Sequence, residues 1–292
     1  MSQLCGLFGK SRQAWYERSW RKWDFKVKEE VVLDLIREIT QGFQMGIHNL
    51  YPVLKPRLEE LSIKMGRAKV QDIRRKHGLS VVRKAKKIKT TNSRHHYHKW
   101  PFLAENLVPD RAEQLWVADI TYIRIRKHFA FLSLITDAYS RKIVGYHLSR
   151  DLSTKSCMKA LEMALDARSY PHRKLMHHSD RGVQYCSYAY TAALNEAGVE
   201  ISMGRKGEVL DNAIAERMNG ILKDCYRMKE GFSSFQRAEV TLHKAIHHYN
   251  HVKPHASIER LRPAEAHQCI GPLARMWKSS TQKTGPADGI DK

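Results

Sequence analysis

Apolar positions along the chain alternate between two periods, and the switches between them mark the elements. Residues 115–123 (LWVADITYI) are β-branched and aromatic, the pattern of a buried strand, with Asp119 at its centre. Two further strands are predicted at 129–136 and 142–148, joined by a turn over 137–141. A helix follows at 154–167, with Met158, Leu161, Met163, Ala164 and Leu165 apolar. A short strand from 175 ends on Asp180 and a turn; a helix at 188–197 and a strand at 199–203 come next. Residues 211–226 repeat Ile214, Met218, Ile221, Leu222 and Cys225 at three- and four-residue steps, one apolar stripe of a helix that Asp211 or Asn212 can cap. Asn212, Glu216, Asn219 and Lys223 share another face of it.

The flanks read as helices. Residues 4–16 suggest a helix, a glycine turn and a second helix capped by Ser11, which is helix-turn-helix grammar. Trp15, Trp20 and Trp23, with Arg18, Arg21 and Lys22, are read either as DNA-stacking groups or as the core of a very small domain. Further helices are expected at 28–40, at 47–54 (ended by Pro56) and at 65–77 (closed by Gly78). Past Gly231 a long helix, capped within 233–236, runs to Tyr249; His243, His247, His248 and His251 lie at helical spacing, read as a surface stripe ahead of a lining for DNA or a partner. The polar tail after Trp277 reads as disordered.

Charge sharpens the picture. The formal net charge is +21, which favours a polyanionic partner. From Lys64 to Lys99 there are 13 Lys/Arg and one acid, Asp72, and Arg83, Lys84, Lys86, Lys87 and Lys89 lack apolar periodicity. That stretch reads as an extended linker tracking phosphates, against the plainer reading of a solvated charge run. No apolar run approaches the length of a membrane span, which leaves nucleic acid ahead of membrane. The five cysteines stand singly, as free thiols in a reducing compartment would. With no cysteine pair near them, the sixteen histidines give no zinc signature.

Three acids carry the chemistry. A carboxylate inside a buried strand is costly unless it is paired or binds metal. Asp119 and Asp180 sit on two strands and Glu216 on a helix, with sixty and then thirty-five residues between them. Oxygen ligands suit Mg2+, and a metal pair clamps the attacking and leaving oxygens of a phosphoryl transfer. For the helix alone, the plainer reading is a solvated Glu/Lys face. Asp137 is a fourth candidate acid, but turn chemistry accounts for it.

At these residues the chain resembles a known family. Trp116-x-x-Asp119-Ile-Thr-Tyr, His178-Ser-Asp180-Arg-Gly-x-Gln-Tyr185 and Gly207-x-x-x-Asp211-Asn-Ala-x-x-Glu216 followed by Lys223 look like the DDE signature of IS-three-family insertion-sequence transposases, the OrfB product with a retroviral-integrase-like core. Tyr249-Asn250, Lys253-Pro254-His255 and Pro263-Ala264 resemble that family's closing motif. The resemblance implies an α/β fold: an RNase H-like core, its mixed five-stranded sheet flanked by helices, preceded by small all-α helix-turn-helix domains. In such a core the first and fourth strands are neighbours, which brings Asp119 beside Asp180. The expected organisation is a helix-turn-helix segment at 1–26, a helical DNA-binding domain at 27–80, a basic linker at 81–110, the core at 111–232, a helical extension at 233–277 and a tail at 278–292.

The resemblance further implies that Asp119, Asp180 and Glu216 bind two Mg2+ ions, with Mn2+ able to substitute. It places Lys223 on DNA near the cut. Asn219, Arg205, Lys206, the five linker cations, Ser11 and Arg12 are the other candidate DNA contacts. The implied activity is cleavage at element ends to expose a 3′ hydroxyl, then strand transfer. The implied partners are double-stranded DNA (terminal inverted repeats and target), further copies of the chain on that DNA, and an upstream-frame OrfA product or fusion. The setting implied is the bacterial cytoplasm at the nucleoid. A nuclease on the same fold, and a DNA-binding regulator with a decayed core, are the competing readings.

Overall fold

The computed structural model describes residues 12–80, 95–105, 107–205 and 213–274. The chain divides into two compact units, one ending at Val82 and one beginning at Arg83.

Among the described residues the first unit holds three helices, α1 (Arg12–Thr40), α2 (Ile47–Glu60) and α3 (Arg67–Lys76). Val32, Leu33, Ile36, Leu50, Leu54, Leu58, Val70 and Ile73 form its core. Two expectations are corrected here. The helix read as capped by Ser11 and the helix read at 28–40 are one continuous helix, Arg12–Thr40, because no glycine or proline interrupts 12–40; the helix and glycine turn read before Ser11 lie outside the described residues. The second helix runs past Pro56 to Glu60 and contains Pro52 and Pro56. Each proline costs a helix about 3 kcal/mol. Burying Leu50, Leu54 and Leu58 on one face returns about 2 kcal/mol apiece and offsets it. Trp20 and Trp23 are 66% and 57% exposed, so they are not a small core; the Trp15 side chain lies outside the described residues. Gly78, at φ +67, closes α3 as expected.

Among its described residues the second unit is built on five strands: β1 (Leu115–Ile125), β2 (His128–Asp137), β3 (Ile143–Ser149), β4 (Met176–Ser179) and β5 (Glu200–Met203). Their order in the sheet is β3-β2-β1-β4-β5. The first three are antiparallel, and β4 and β5 run parallel to β1. This is the mixed sheet of an RNase H-like fold. Helices α4 (Thr154–Asp166), α5 (Val183–Cys186), α6 (Tyr188–Glu196), α7 (Ala213–Cys225), α8 (Phe235–His251) and α9 (Pro263–Ala266) flank it. Trp116, Ala118, Leu161, Leu175, Tyr190, Leu194, Ile201 and Met203 pack the main core. Gly145 lets α4 press against the sheet: a methyl there would collide with the Ala160 carbonyl oxygen and lie 2.9 Å from Ala164 Cβ.

The C-terminal helices belong to this same unit. Asn250 accepts from the Ile143 amide at 3.0 Å and donates to its carbonyl at 2.9 Å, tying α8 to β3. Tyr139 donates to the Gly271 carbonyl at 2.8 Å. His248, read as part of a surface stripe, is instead buried against the Tyr226 hydroxyl. Of the expected basic linker, residues 81–94 lie outside the described residues; farther on, the Leu103 amide donates to Ser202 and the Met203 amide to Pro101. Most of the proposed tail lies outside them too. No helix among the described residues is long and apolar enough to cross a membrane.

Candidate active site

β1 is the middle strand, and its first four residues are buried in succession. That is the pattern of a strand covered on both faces. Asp119 comes next. Its Oδ1 accepts from the Ile120 amide at 2.9 Å and its Oδ2 from the Asn219 side-chain amide at 2.6 Å. The parallel register of β1 with β4 pairs Val117 with His178, and carried two residues on it lines Asp119 up with Asp180. Asp180 follows the last residue of β4, and its Oδ1 accepts from the Gly182 amide at 2.9 Å. Gly182 is needed there for space: a Cβ would lie 2.9 Å from that same oxygen.

Helix α7 brings the third acid. Ala215, Met218 and Leu222 are buried, as the stripe predicts. α7 packs on β1, and the Tyr249 hydroxyl of α8 reaches the Met218 sulfur at 3.2 Å. The other face carries Glu216 exposed, Asn219 buried and Lys223 half-buried. The capping residues Asp211 and Asn212 lie outside the described residues.

These groups sense one another electrostatically. Burial first, then the negative charge of Asp180, pushes the Asp119 carboxyl up to about 7, with Glu216 adding to the rise. The Ile120 and Asn219 hydrogen bonds oppose it. Burial pulls the Lys223 ammonium down, while the charge of Asp119 acts to hold it up. The strand, the β4 terminus and the helix therefore bring Asp119 into range of Asp180, Glu216, Asn219 and Lys223. Among the described residues, no three His, Cys, Asp or Glu side chains are gathered closely enough to hold a metal ion outright. The donors nonetheless fit Mg2+ in kind: carboxylate oxygens throughout, with a buried Asn219 Oδ1 that has no hydrogen-bond partner beside them.

The other candidates divide. Asn219, expected on DNA, is buried and spends its amide on Asp119. Arg205 is ion-paired with Glu105 at 2.9 Å and lies over the Phe102 ring. Ser11, Arg83, Lys84, Lys86, Lys87, Lys89 and Lys206 lie outside the described residues, as does the side chain of Arg12. Asp137 is a turn residue, as read: it is wholly buried and accepts from the Ser140 amide and hydroxyl at 2.8 and 2.7 Å and from the Glu113 amide at 2.8 Å. Sequence reasoning missed Gly182 as a spacer and Glu113 as a buried hub. For Glu113 no periodic signal exists, because it lies in the approach to β1.

Two integrase core domain models match residues 109–208 and 197–263. The Insertion element IS600 uncharacterized 31 kDa protein of Shigella sonnei is 33% identical over 270 residues, covering 89% of this chain and 96% of that protein. The Transposase for insertion sequence element IS629, also of Shigella sonnei, is 34% identical over 221 residues, 75% of this chain and 74% of that one. The Transposase InsF for insertion sequence IS3A of Escherichia coli K12 is 33% identical over 165 residues, 56% and 57% of the two chains. Likeness that runs from the helical unit through the integrase core, at these identities, makes this chain a member of the insertion-sequence transposases: a DDE transposase with an integrase core.

Proposed function

We propose that Asp119, Asp180 and Glu216 are the catalytic triad, and that they hold two Mg2+ ions, or Mn2+ in their place, for cleavage at element ends and strand transfer. The observation that carries this reading is the placement of Asp119, half-buried on the central strand, hydrogen-bonded to Asn219 of the Glu216 helix and in register with Asp180, so that the charges of Asp180 and Glu216 both act on it. Carboxylates crowded in this way gain from a divalent cation, which reverses the local electrostatic balance. When bound, Mg2+ supplies a Lewis acid that activates the attacking oxygen and offsets charge on the phosphate.

The chain's own residues do the rest. The Asn219 amide orients Asp119, and the Gly182 amide orients Asp180. Lys223, on the same face of α7, offers a cation to the phosphates flanking the cut. In the first step water attacks a phosphodiester at the element end; the P–O bond to the 3′ oxygen breaks, and that oxygen leaves as a hydroxyl. In the second, this hydroxyl attacks a target phosphodiester and displaces the target's own 3′ oxygen. No serine or tyrosine ester is formed.

Arg12, Ser11, Arg205, Lys206 and the linker cations Arg83, Lys84, Lys86, Lys87 and Lys89 are the remaining proposed contacts to double-stranded DNA, both inverted repeats and target. Several copies of the chain, with an upstream-frame product or fusion, would assemble on that DNA at the bacterial nucleoid. Incubating the full chain with Mg2+ and a duplex bearing an element end tests the reading. A nick that leaves a 3′ hydroxyl, followed by joined product, is expected. Nicking without any joining, under every condition that supports cleavage, would instead favour a nuclease.

A further inference from the structure

Lys253 is 4% exposed, in the segment that follows α8. Lysine is almost never buried without a partner, because removing an ammonium from water is costly. Among the described residues no carboxylate and no hydrogen-bond acceptor meets the Lys253 ammonium, and the face of the Tyr249 ring lies 5.8 Å away. What surrounds it is a neutral imidazole and the charge of a second cation, Arg217. His255, also buried, stands edge-on to the same Tyr249 ring at 6.1 Å. Its Nδ1 is 2.8 Å from the Ser257 hydroxyl, which in turn accepts from Arg141 Nε at 3.3 Å. The charge of Arg217, exposed on α7, reaches both Lys253 and His255.

The effect on titration agrees with this geometry. Burial, then the charges of Lys253, Arg141 and Arg217, pushes His255 down to about 3. Burial lowers Lys253 as well, with Arg217 lowering it further and the Cys225 thiol acting the other way. Three elements distant in sequence (the β2–β3 turn, α7 and the segment after α8) thus bring the charges of Arg141, Arg217 and Lys253 to bear on one buried imidazole, His255, which is itself neutral at pH 7. A fold gains nothing by itself from gathering like charges in a place with low access to water. An anion seated there turns the cost into a gain.

We propose that Lys253, with Arg141 and Arg217 as further cations and the neutral His255 ring beside Tyr249, forms a phosphate-binding site that takes a DNA backbone phosphodiester. The proposal rests on the transposase reading for the source of the phosphate, but not on the triad. Arg217 immediately follows Glu216 in sequence, so a strand held here would leave the acid face of α7 along the helix's other side.

The test is duplex DNA binding by the full chain across a salt series, comparing wild type with Lys253→Met, Arg217→Gln and Asp180→Asn. Each phosphate neutralised contributes about 0.9 to the slope of log affinity against log salt. Lys253→Met is expected to lose about one unit of slope, and Arg217→Gln to lose slope as well, while Asp180→Asn keeps the wild-type slope even though it abolishes cutting. A parallel arm follows thermal unfolding in inorganic phosphate against chloride at constant ionic strength. Stabilisation by phosphate in wild type but not in Lys253→Met shows that the pocket takes free phosphate also; slope loss without it assigns the site to DNA alone. An unchanged slope in a folded Lys253→Met and in Arg217→Gln overturns the proposal, whatever the triad variants do. Should Lys253→Met not fold, Arg217→Gln, altered at an exposed position, decides alone.

Discussion

The Asn219 side-chain amide donates a 2.6 Å hydrogen bond to Asp119 Oδ2 across a hundred residues of chain. It joins α7 to the central strand at the acid itself. A hydrogen bond to a charged group contributes about 1.5–3 kcal/mol, and a group that orients a metal ligand is worth about 10–100-fold in affinity or activity. Asn219→Ala is therefore expected to lower kcat for end cleavage within that range while leaving the Kd for DNA near wild type. Equal losses in DNA binding and in turnover would mean that Asn219 acts on DNA directly.

Gly182 stands where a side chain would press on the Asp180 carboxylate, with Cβ to Oδ1 at 2.9 Å. Its backbone, at φ −67 and ψ 144, is open to any residue. Only space is at issue, and the atom displaced is the end of a side chain. Gly182→Ala is thus expected to unfold within a few degrees of wild type yet to lose cleavage by at least about tenfold, as misplaced reacting groups do. A variant that cuts at the wild-type rate would show that Asp180 has no need of its present position.

Lys223 is half-buried on the acid face of α7 and lies within the field of Asp119. A cation placed at the reacting phosphate contributes to engagement of the element end, whereas general DNA affinity comes from the many other positive charges. In competition binding, Lys223→Ala is expected to weaken capture of end-bearing duplex several-fold more than capture of unrelated duplex. The same loss on both would assign Lys223 to nonspecific contact.

Glu113 gives a pH dependence separate from catalysis. Burial would raise its carboxyl, but His267, the Ser169 amide, Arg168 and the Tyr170 amide together hold it down at about 2. The amides of Ser169 and Tyr170 donate at 2.6 and 3.1 Å, Arg168 at 3.2 Å, and His267 Nε2 stands at ion-pair range, 3.6 Å. A carboxyl lowered in the folded state stabilises above its unfolded value of about 4.5, and that stability is lost as pH falls toward 2. Glu113→Gln is expected to destabilise the chain at pH 7 by about 3 kcal/mol, since it leaves Arg168 buried without its charge partner. In chemical denaturation the deficit should shrink between pH 4.5 and 2. A deficit constant across that range would rule out the charge as its source.

Much of this molecule is legible before any fold is known, and the limit is physical. The strand around Asp119 announces itself because a β-branched run shelters a lone acid in few settings besides a covered strand with a charge to satisfy. The stripe from Ile214 to Cys225 gives α7 and its two faces. What spacing does not tell is where a face points. Asn219 shares a face with Glu216 and Lys223 and on that ground alone belongs on DNA; only the packing of α7 on β1 turns its amide toward Asp119. Pro52 and Pro56 mislead because local propensity argues for a break, whereas three leucines buried on the far side of the helix decide the matter. Glu113 and Lys253 sit in irregular segments, where burial depends wholly on tertiary structure.

The central claim is that Asp119, Asp180 and Glu216 bind divalent metal together. Counting Mn2+ bound to the full chain by electron paramagnetic resonance, for wild type and for Asp119→Asn, Asp180→Asn and Glu216→Gln, tests it most directly. The account predicts saturable binding by wild type, competed by Mg2+, and weakened at least about tenfold in each variant while the chains stay folded. Undiminished Mn2+ binding in all three variants would contradict it.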